Sequence, residues 1–384
     1  MNRNNHQAAE AEGRKQKNRR KTDPVFVIAW VLAILSAFFI HPDAAYTGYI
    51  DWRSLGILWS LMVVIQGLKE NAVFEKIGTA VTGRVSNIRQ LSAALIFLCF
   101  FGSMLVTNDV ALLTFVPLSI TLFHGCGKDG AASWLVVLLT IAANLGSMLT
   151  PIGNPQNLYL FGLMEADLFV FVLWMLPYTL FTALVLLAVV LLFPGGKEEA
   201  KLGGNSGTVR HFGSRVQIGV YLALFLLAML TVLRILPWWV TAGCTLVIVF
   251  GMDFKILKRA DYTLLLTFIG FFIFTGNMAR IPAVRNVLQE TIQGREFPVA
   301  VLSSQVISNV PAALLLSDFA ADYHELLLGV NIGGLGTMIA SMASLISFKF
   351  FADSYPDHKA SYFLRFTLLN LIMLAFMTVL HGII

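Results

Sequence analysis

The sequence predicts an all-α polytopic membrane protein with about nine transmembrane helices, two re-entrant hairpins and two broken helices, arranged as inverted repeats. Three observations predict it. Of 384 residues, 57% are hydrophobic and 13% charged, whereas a soluble domain is about 45–50% apolar and about 25% charged. Apolar runs close to the roughly 20 residues that a bilayer crossing needs recur along the whole chain. Lys and Arg crowd into alternate connections, as the positive-inside rule requires. The same composition excludes two other classes. Cys99, Cys126 and Cys244 are an odd, widely spaced set, so this is no disulfide scaffold. The net charge of +5 is spread over short connections, which argues against a nucleic-acid partner.

The elements follow in order. Residues 1–23 carry seven Lys/Arg and read as a disordered, basic, cytoplasmic tail. The run 24–40 crosses outward. The small residues Ala44 and Ala45 after it would suit a cleaved signal peptide, but the long polar lead and the 17-residue run favour an uncleaved anchor. Further spans are expected at 53–68, 131–164, 168–193, 216–235, 237–252, 262–279, 325–350 and 361–381. The stretches 90–123 and 297–324 are each interrupted near the middle by polar residues and have arms of about 14–17 residues, so they read as re-entrant hairpins. With the N-terminus inside, 22 of the 27 Lys/Arg fall on the inner face, leaving Arg53, Arg234, Arg280, Arg285 and Arg295 outside.

The chain also repeats itself. DWRSLGILWSLMVVIQGL (from Asp51) and DYTLLLTFIGFFIFTGNM (from Asp261) open two units that begin on opposite sides of the membrane in this count. Each is followed by an amphipathic stretch (71–89 and 280–296), then by a hairpin. The hairpin centres are 107–112 and 308–313. Each unit then ends in a long helix with a polar break, NLGSMLTPIGNPQNLYL (144–160) or NIGGLGTMIASMASLIS (331–347). The implied division is a first membrane repeat at 24–193, a Gly-rich charged cytoplasmic linker at 194–215 and a second, inverted repeat at 216–384.

Inverted repeats with interrupted helices point to secondary transporters. Backbone polar groups cannot be left bare in lipid, so non-helical backbone at depth must be buried or line a wet cavity. There, helix N-termini attract anions and free carbonyls hold cations. Thr107, Asn108, Ser308 and Asn309 are good caps for half-helices, and Pro311 is tolerated in a first turn. GSMLTPIGNPQN stacks two Pro, two Gly and several amides in twelve residues and cannot stay a regular helix. Asp109 is an ionisable group expected at depth, either a proton carrier or a cap for the helix that follows.

At these residues the sequence resembles the ion transporter superfamily, which groups citrate transporter-like domains, arsenite permeases, sodium–proton antiporters and divalent-anion/sodium symporters. The resemblance covers about 24–384. TNDVALLTFVPL looks like the family's inner hairpin and LTPIGNPQN like its first helix break. GVNIGGLGTMIASMASL looks closer to the arsenite-permease branch. The tips read Thr-Asn-Asp and Ser-Asn-Val where the symporters carry Ser-Asn-Thr. The resemblance implies a homodimeric carrier of the inner (plasma) membrane, with a cytoplasmic N-terminus, working by an elevator-type motion. By position it implies substrate contacts at Asn108, Pro155, Asn309 and Thr337. It implies cation contacts at Thr107, Asn108, Gly146, Thr150 and Asn154, and at Ser308, Asn309, Gly333 and Thr337; Asp109, where the chain departs from the symporters, is the coupling candidate on its own chemistry, with Na+ or H+ as the coupling ion and no cofactor expected.

No Lys or Arg lies between Lys128 and Lys197 or between Arg295 and Lys349, so neither break region has a permanent cationic clamp. The expected cargo is a small anion, a di- or tricarboxylate or an inorganic oxyanion, held by amides, hydroxyls, helix N-termini and a co-bound cation. An arsenite or antimonite efflux permease and a Na+/H+ antiporter are the alternatives. An enzyme is not expected. His324-Glu325 starts a zinc-type pair, but Leu328 stands where the second His belongs, and GGNSG (203–207) follows no strand. Asp318, Asp322, His324 and Glu325 read as a solvated rim, and the cysteines as packing residues.

Overall fold

The computed structural model describes residues 24–82, 85–164, 166–192 and 213–384, all arranged as helices and their connections. The expected tail at 1–23 and most of the expected linker lie outside the described residues. The first helix, α1 (Pro24–Phe39), lies against α12 (Tyr262–Ala279). A side chain at Gly270 would meet Ala29 Cβ at 3.1 Å, so glycine sets their close approach. A short turn, α2 (Tyr46–Tyr49), leads into α3 (Trp52–Glu70). Asp51 caps α3 by accepting from Ser54 N, and Asp261 caps α12 by accepting from Leu264 N. The two Asp residues share one backbone conformation, φ/ψ −77/83° and −80/81°.

After α3 the chain turns 56° into the amphipathic α4 (Val73–Thr82). The first hairpin follows: α5 (Ile88–Leu105) and α6 (Asn108–Gly125), with Pro117 inside α6. Both arms are 18 residues long, longer than expected, because the interruption at 106–107 is only two residues wide. The central helix α7 (Asp129–Gly146) has 89% of its apolar window buried, against 22% for the window of the last helix, so the fold is built around α7. It ends in one 3₁₀ turn, Ser147–Leu149, then irregular chain, then the half-helix α8 (Pro155–Leu163).

The remaining helices are α9 (Leu168–Leu191), α10 (Arg215–Val232), α11 (Trp238–Leu257) and α12, then the amphipathic α13 (Pro282–Ile292). The second hairpin is α14 (Glu296–Ile307) and α15 (Asn309–Ser317). The second broken unit is α16 (Tyr323–Ile332) and α17 (Met342–Ser354), and α18 (Lys359–His381) completes the chain. Leu184, Leu226, Val247 and Leu364 project from α9, α10, α11 and α18, each more than 60% exposed, as side chains that meet lipid do.

Among the described residues seven helices are long and apolar enough to cross a bilayer, or eight counting the bent α3–α4 pair. The sequence count of nine differs for physical reasons. α1 has 16 residues, and α16 and α17 have 10 and 13, so neither half of the second broken unit reaches a crossing length alone, whereas α5 does.

Candidate functional site

Each hairpin tip is bonded to one break through the same pair of main-chain atoms. Asn108 N donates to Gly153 O at 3.0 Å, and Asn309 N donates to Ala340 O at 2.9 Å. Each asparagine then turns its side-chain oxygen onto the next amide of its half-helix: Asp109 N donates to Asn108 Oδ1 at 2.9 Å and Val310 N to Asn309 Oδ1 at 3.0 Å. Both asparagines are buried. A third contact repeats as well. Thr150 donates its hydroxyl to Met104 O and Thr337 to Gln305 O, each carbonyl lying three residues before its tip position.

The breaks are joined to each other by side chains. Asn144 Oδ1 accepts from Asn108 Nδ2 and from Ser341 Oγ, both at 3.1 Å, while its Nδ2 points to Ser344 Oγ at 3.5 Å. Asn331 Nδ2 donates to Asn157 Oδ1 at 2.7 Å, and Asn331 Oδ1 accepts from Asn154 Nδ2 at 3.4 Å. Asn154, Asn157, Ser341 and Ser344 therefore stand in matching places around the two hubs. Asn157 also donates to the carbonyls of the first break, Thr150 O at 3.2 Å among them. Residual capacity remains: Asn154 Oδ1 and both side-chain polar atoms of Gln156 are buried without a hydrogen-bond partner in the structure. Unpaired buried polar groups cost about 1–3 kcal/mol each, so they mark places where a ligand or water belongs.

The candidate residues from the sequence fall around this network in different ways. Asn108, Asn154, Pro155, Asn309 and Ser308 are buried at it, Thr107, Asp109 and Thr150 are half-buried, and Thr337 is exposed. Gly146 and Gly333 also have packing reasons. A side chain on Gly146 would meet Ser103 Oγ at 2.8 Å and the carbonyl of Phe100, and one on Gly333 would meet Ser304 Cβ at 2.9 Å. Ser308 takes φ +75°, a left-handed conformation that favours glycine, so the second tip is strained where the first is not.

Sequence reasoning missed the hubs. Asn144 and Asn331 each begin an Asn-x-Gly run two residues before the break glycine, a repeated signal visible in the chain. It also missed Gln305, which donates to Gly333 O at 2.8 Å and Leu335 O at 3.0 Å and accepts from Thr337 N at 2.9 Å. Arg234, at φ +63°, reaches from the turn after α10 to the carbonyls of Phe161 and Met164 and so satisfies the end of half-helix α8. Cys99 is fully buried with its thiol 3.6 Å from Leu139 O, and all three cysteines are free.

Chemically, the network consists of neutral amides and hydroxyls, with half-helix N-termini at 108, 155, 309 and 342 and with the break carbonyls close by. Such a lining can hold an oxygen-rich solute through N–H donors and a small cation through carbonyl and hydroxyl oxygens.

A model described as citrate transporter matches residues 18–330. An uncharacterized transporter of Methanocaldococcus jannaschii is 31% identical over 303 residues, covering 78% of this chain and 81% of that protein. The inner membrane protein YbiR of Escherichia coli K12 is 30% identical over 342 residues, covering 86% of this chain and 88% of its own length. A shorter match, 32% over 147 residues, reaches the silicon efflux transporter LSI3 of Oryza sativa subsp. japonica, covering 38% of this chain and 30% of that protein.

Proposed function

Because the chain belongs to the citrate transporter family, we propose that it is a secondary active carrier moving a small oxygen-rich anion across the inner (plasma) membrane, driven by a Na+ or H+ gradient. The observation that carries this reading is the pair of tip-to-break bonds, Asn108 N to Gly153 O and Asn309 N to Ala340 O, with Asn144 and Asn331 interlocked between them. Four half-helix N-termini, with the oxygens of Asn154 and Gln156 unpaired beside them, offer complementary places for an anion and its coupling cation. No fixed cation is needed in the breaks, because the co-transported ion supplies the charge. The matching contacts of the two halves support an inverted repeat, in which exchanging the conformations of the halves exposes the site alternately to each side. An elevator-type motion of a homodimer, with the N-terminus in the cytoplasm, completes the reading, and it assigns transport rather than catalysis.

A second reading is efflux of a neutral oxyacid, with the permease branch as its template. The lack of a Lys or Arg in either break region favours it, and so does the printed name of the rice relative, a silicon efflux transporter. The two readings separate in reconstituted liposomes. Citrate, succinate, sulfate, phosphate, arsenite and silicic acid are offered under imposed Na+ or H+ gradients. Gradient-dependent uptake of an anion supports the first reading. Movement of arsenite or silicic acid alone supports the second.

A further inference from the structure

A cavity of about 740 Å³ lies away from the break network, lined by Trp174 of α9, the start of α14 and the first turn of α16. Four titratable side chains are joined beside it. Tyr178 OH and His381 Nδ1 are 3.0 Å apart, His381 Nε2 is 3.1 Å from Glu325 Oε2, and His324 Nδ1 stands 3.9 Å from Glu325 Oε1. Two aromatic rings cover the imidazoles: Trp174 lies 4.5 Å from the His324 ring and Phe297 stacks on His381 at 3.8 Å.

The neighbouring carboxylates are committed to backbone. Glu296 is buried and accepts from Ala321 N and Asp322 N. Asp322 caps α16 through His324 N and Glu325 N. Glu325 is thus the carboxylate that faces both imidazoles, and Arg295 and Tyr323 complete the charged and titratable lining. If Tyr178 donates to Nδ1 of His381, a neutral His381 keeps its proton on Nε2 and donates it to Glu325. His324 is different. At 3.9 Å it is beyond hydrogen-bond reach of Glu325, with Trp174 tilted against its ring; burial holds it below the ordinary imidazole value, while the charge of Glu325 pulls the other way.

We infer that His324, with Glu325 as counter-ion and Trp174 packed on its ring, is a proton-binding site that opens on this cavity and makes transport respond to the pH of that side; the transport half of this rests on the carrier reading above. The proton passes from cavity water to the free ring nitrogen of His324, and the resulting cation closes on Glu325. The effect reaches the break network through α16. That helix has ten residues, about 15 Å, and it carries His324 and Glu325 in its first turn and the hub Asn331 near its other end. A positive charge at a helix N-terminus is unfavourable by itself, so proton binding here depends on Glu325.

Trp174 is a built-in reporter, because an imidazolium against an indole quenches its emission. The signal is the fluorescence of the purified full-length protein minus that of Trp174→Phe. It should fall about two-fold between about pH 7 and pH 4, since burial holds His324 below its ordinary value of 6.5. The transition should vanish in His324→Gln, persist in His381→Gln, and move down by about one pH unit in Glu325→Gln. Flat Trp174 emission, or a transition that survives in His324→Gln, overturns the site. In liposomes, His324→Gln should flatten the dependence of uptake on the pH of the cavity side, and an unchanged profile overturns the link to transport. If no solute moves under any gradient while the optical transition remains, the carrier reading fails and the proton site stands.

Discussion

Asn144 and Asn331 hold equivalent places in the two breaks, and each is bonded to the break that follows the other. Asn144 takes Ser341 and Ser344 as partners, and Asn331 takes Asn157 and Asn154. Neither break can open without disturbing its counterpart, which couples the two halves at the site itself.

Removing one hub should therefore cost stability as well as transport. Asn331→Ala leaves Asn157 Oδ1 and Asn154 Nδ2 without this partner in the interior, at a cost of about 1–3 kcal/mol. Thermal unfolding in detergent, read beside uptake, should show both losses. An Asn331→Ala protein as stable as wild type would mean that the hub bonds carry no net energy.

Glycine substitutions should separate packing from propensity. Gly146→Ala forces a methyl group against Ser103 and the Phe100 carbonyl and should cost about 1–3 kcal/mol. Gly243→Ala meets nothing within 4 Å inside α11 and should stabilise that helix by about 0.5–1 kcal/mol. The two melting temperatures should shift in opposite directions.

The strained second tip offers a third measurement. Ser308→Gly and Ser308→Ala both lose the hydroxyl, but only glycine relieves the left-handed backbone, so the glycine variant should be about 1 kcal/mol more stable than the alanine variant. Equal melting temperatures for the two variants would contradict the strain.

Breaks, caps and tips were legible in the sequence because Gly, Pro, Asn and Asp act locally. Asp51 and Asp261, and Asn108 and Asn309, announce helix starts within a few residues. The cross-half partners were not legible. Nothing near Asn144 names Ser341, since that bond spans just over half the chain. The roles of Gly146 and Gly333 were legible as breaks but not as packing contacts, because what a Cβ would strike is a tertiary fact. His324 and Glu325 read as a solvated rim because their partners, Trp174 and His381, lie on distant helices.

A pH dependence follows at one connection outside the spans. The hydrogen bond from Arg280 holds the Asp43 carboxyl below its ordinary value near 3.8. A depressed folded-state pKa contributes stability that is present above the unfolded value and is lost as pH falls through the folded one. The stability difference between wild type and Asp43→Asn should thus be full at about pH 5 and above and shrink below about pH 4. A difference that stays constant down to about pH 3 would show that the pair does not act through this charge.

Gradient-driven accumulation of solute in liposomes, compared among wild type, Asn108→Ala and Asn309→Ala, tests the carrier most directly. Wild type should concentrate one of the offered solutes only while the Na+ or H+ gradient lasts, and both variants should insert and fold but fail to accumulate it. Accumulation by either variant at the wild-type rate, or wild-type uptake indifferent to both gradients, would contradict a carrier whose site lies between the hairpin tips and the breaks.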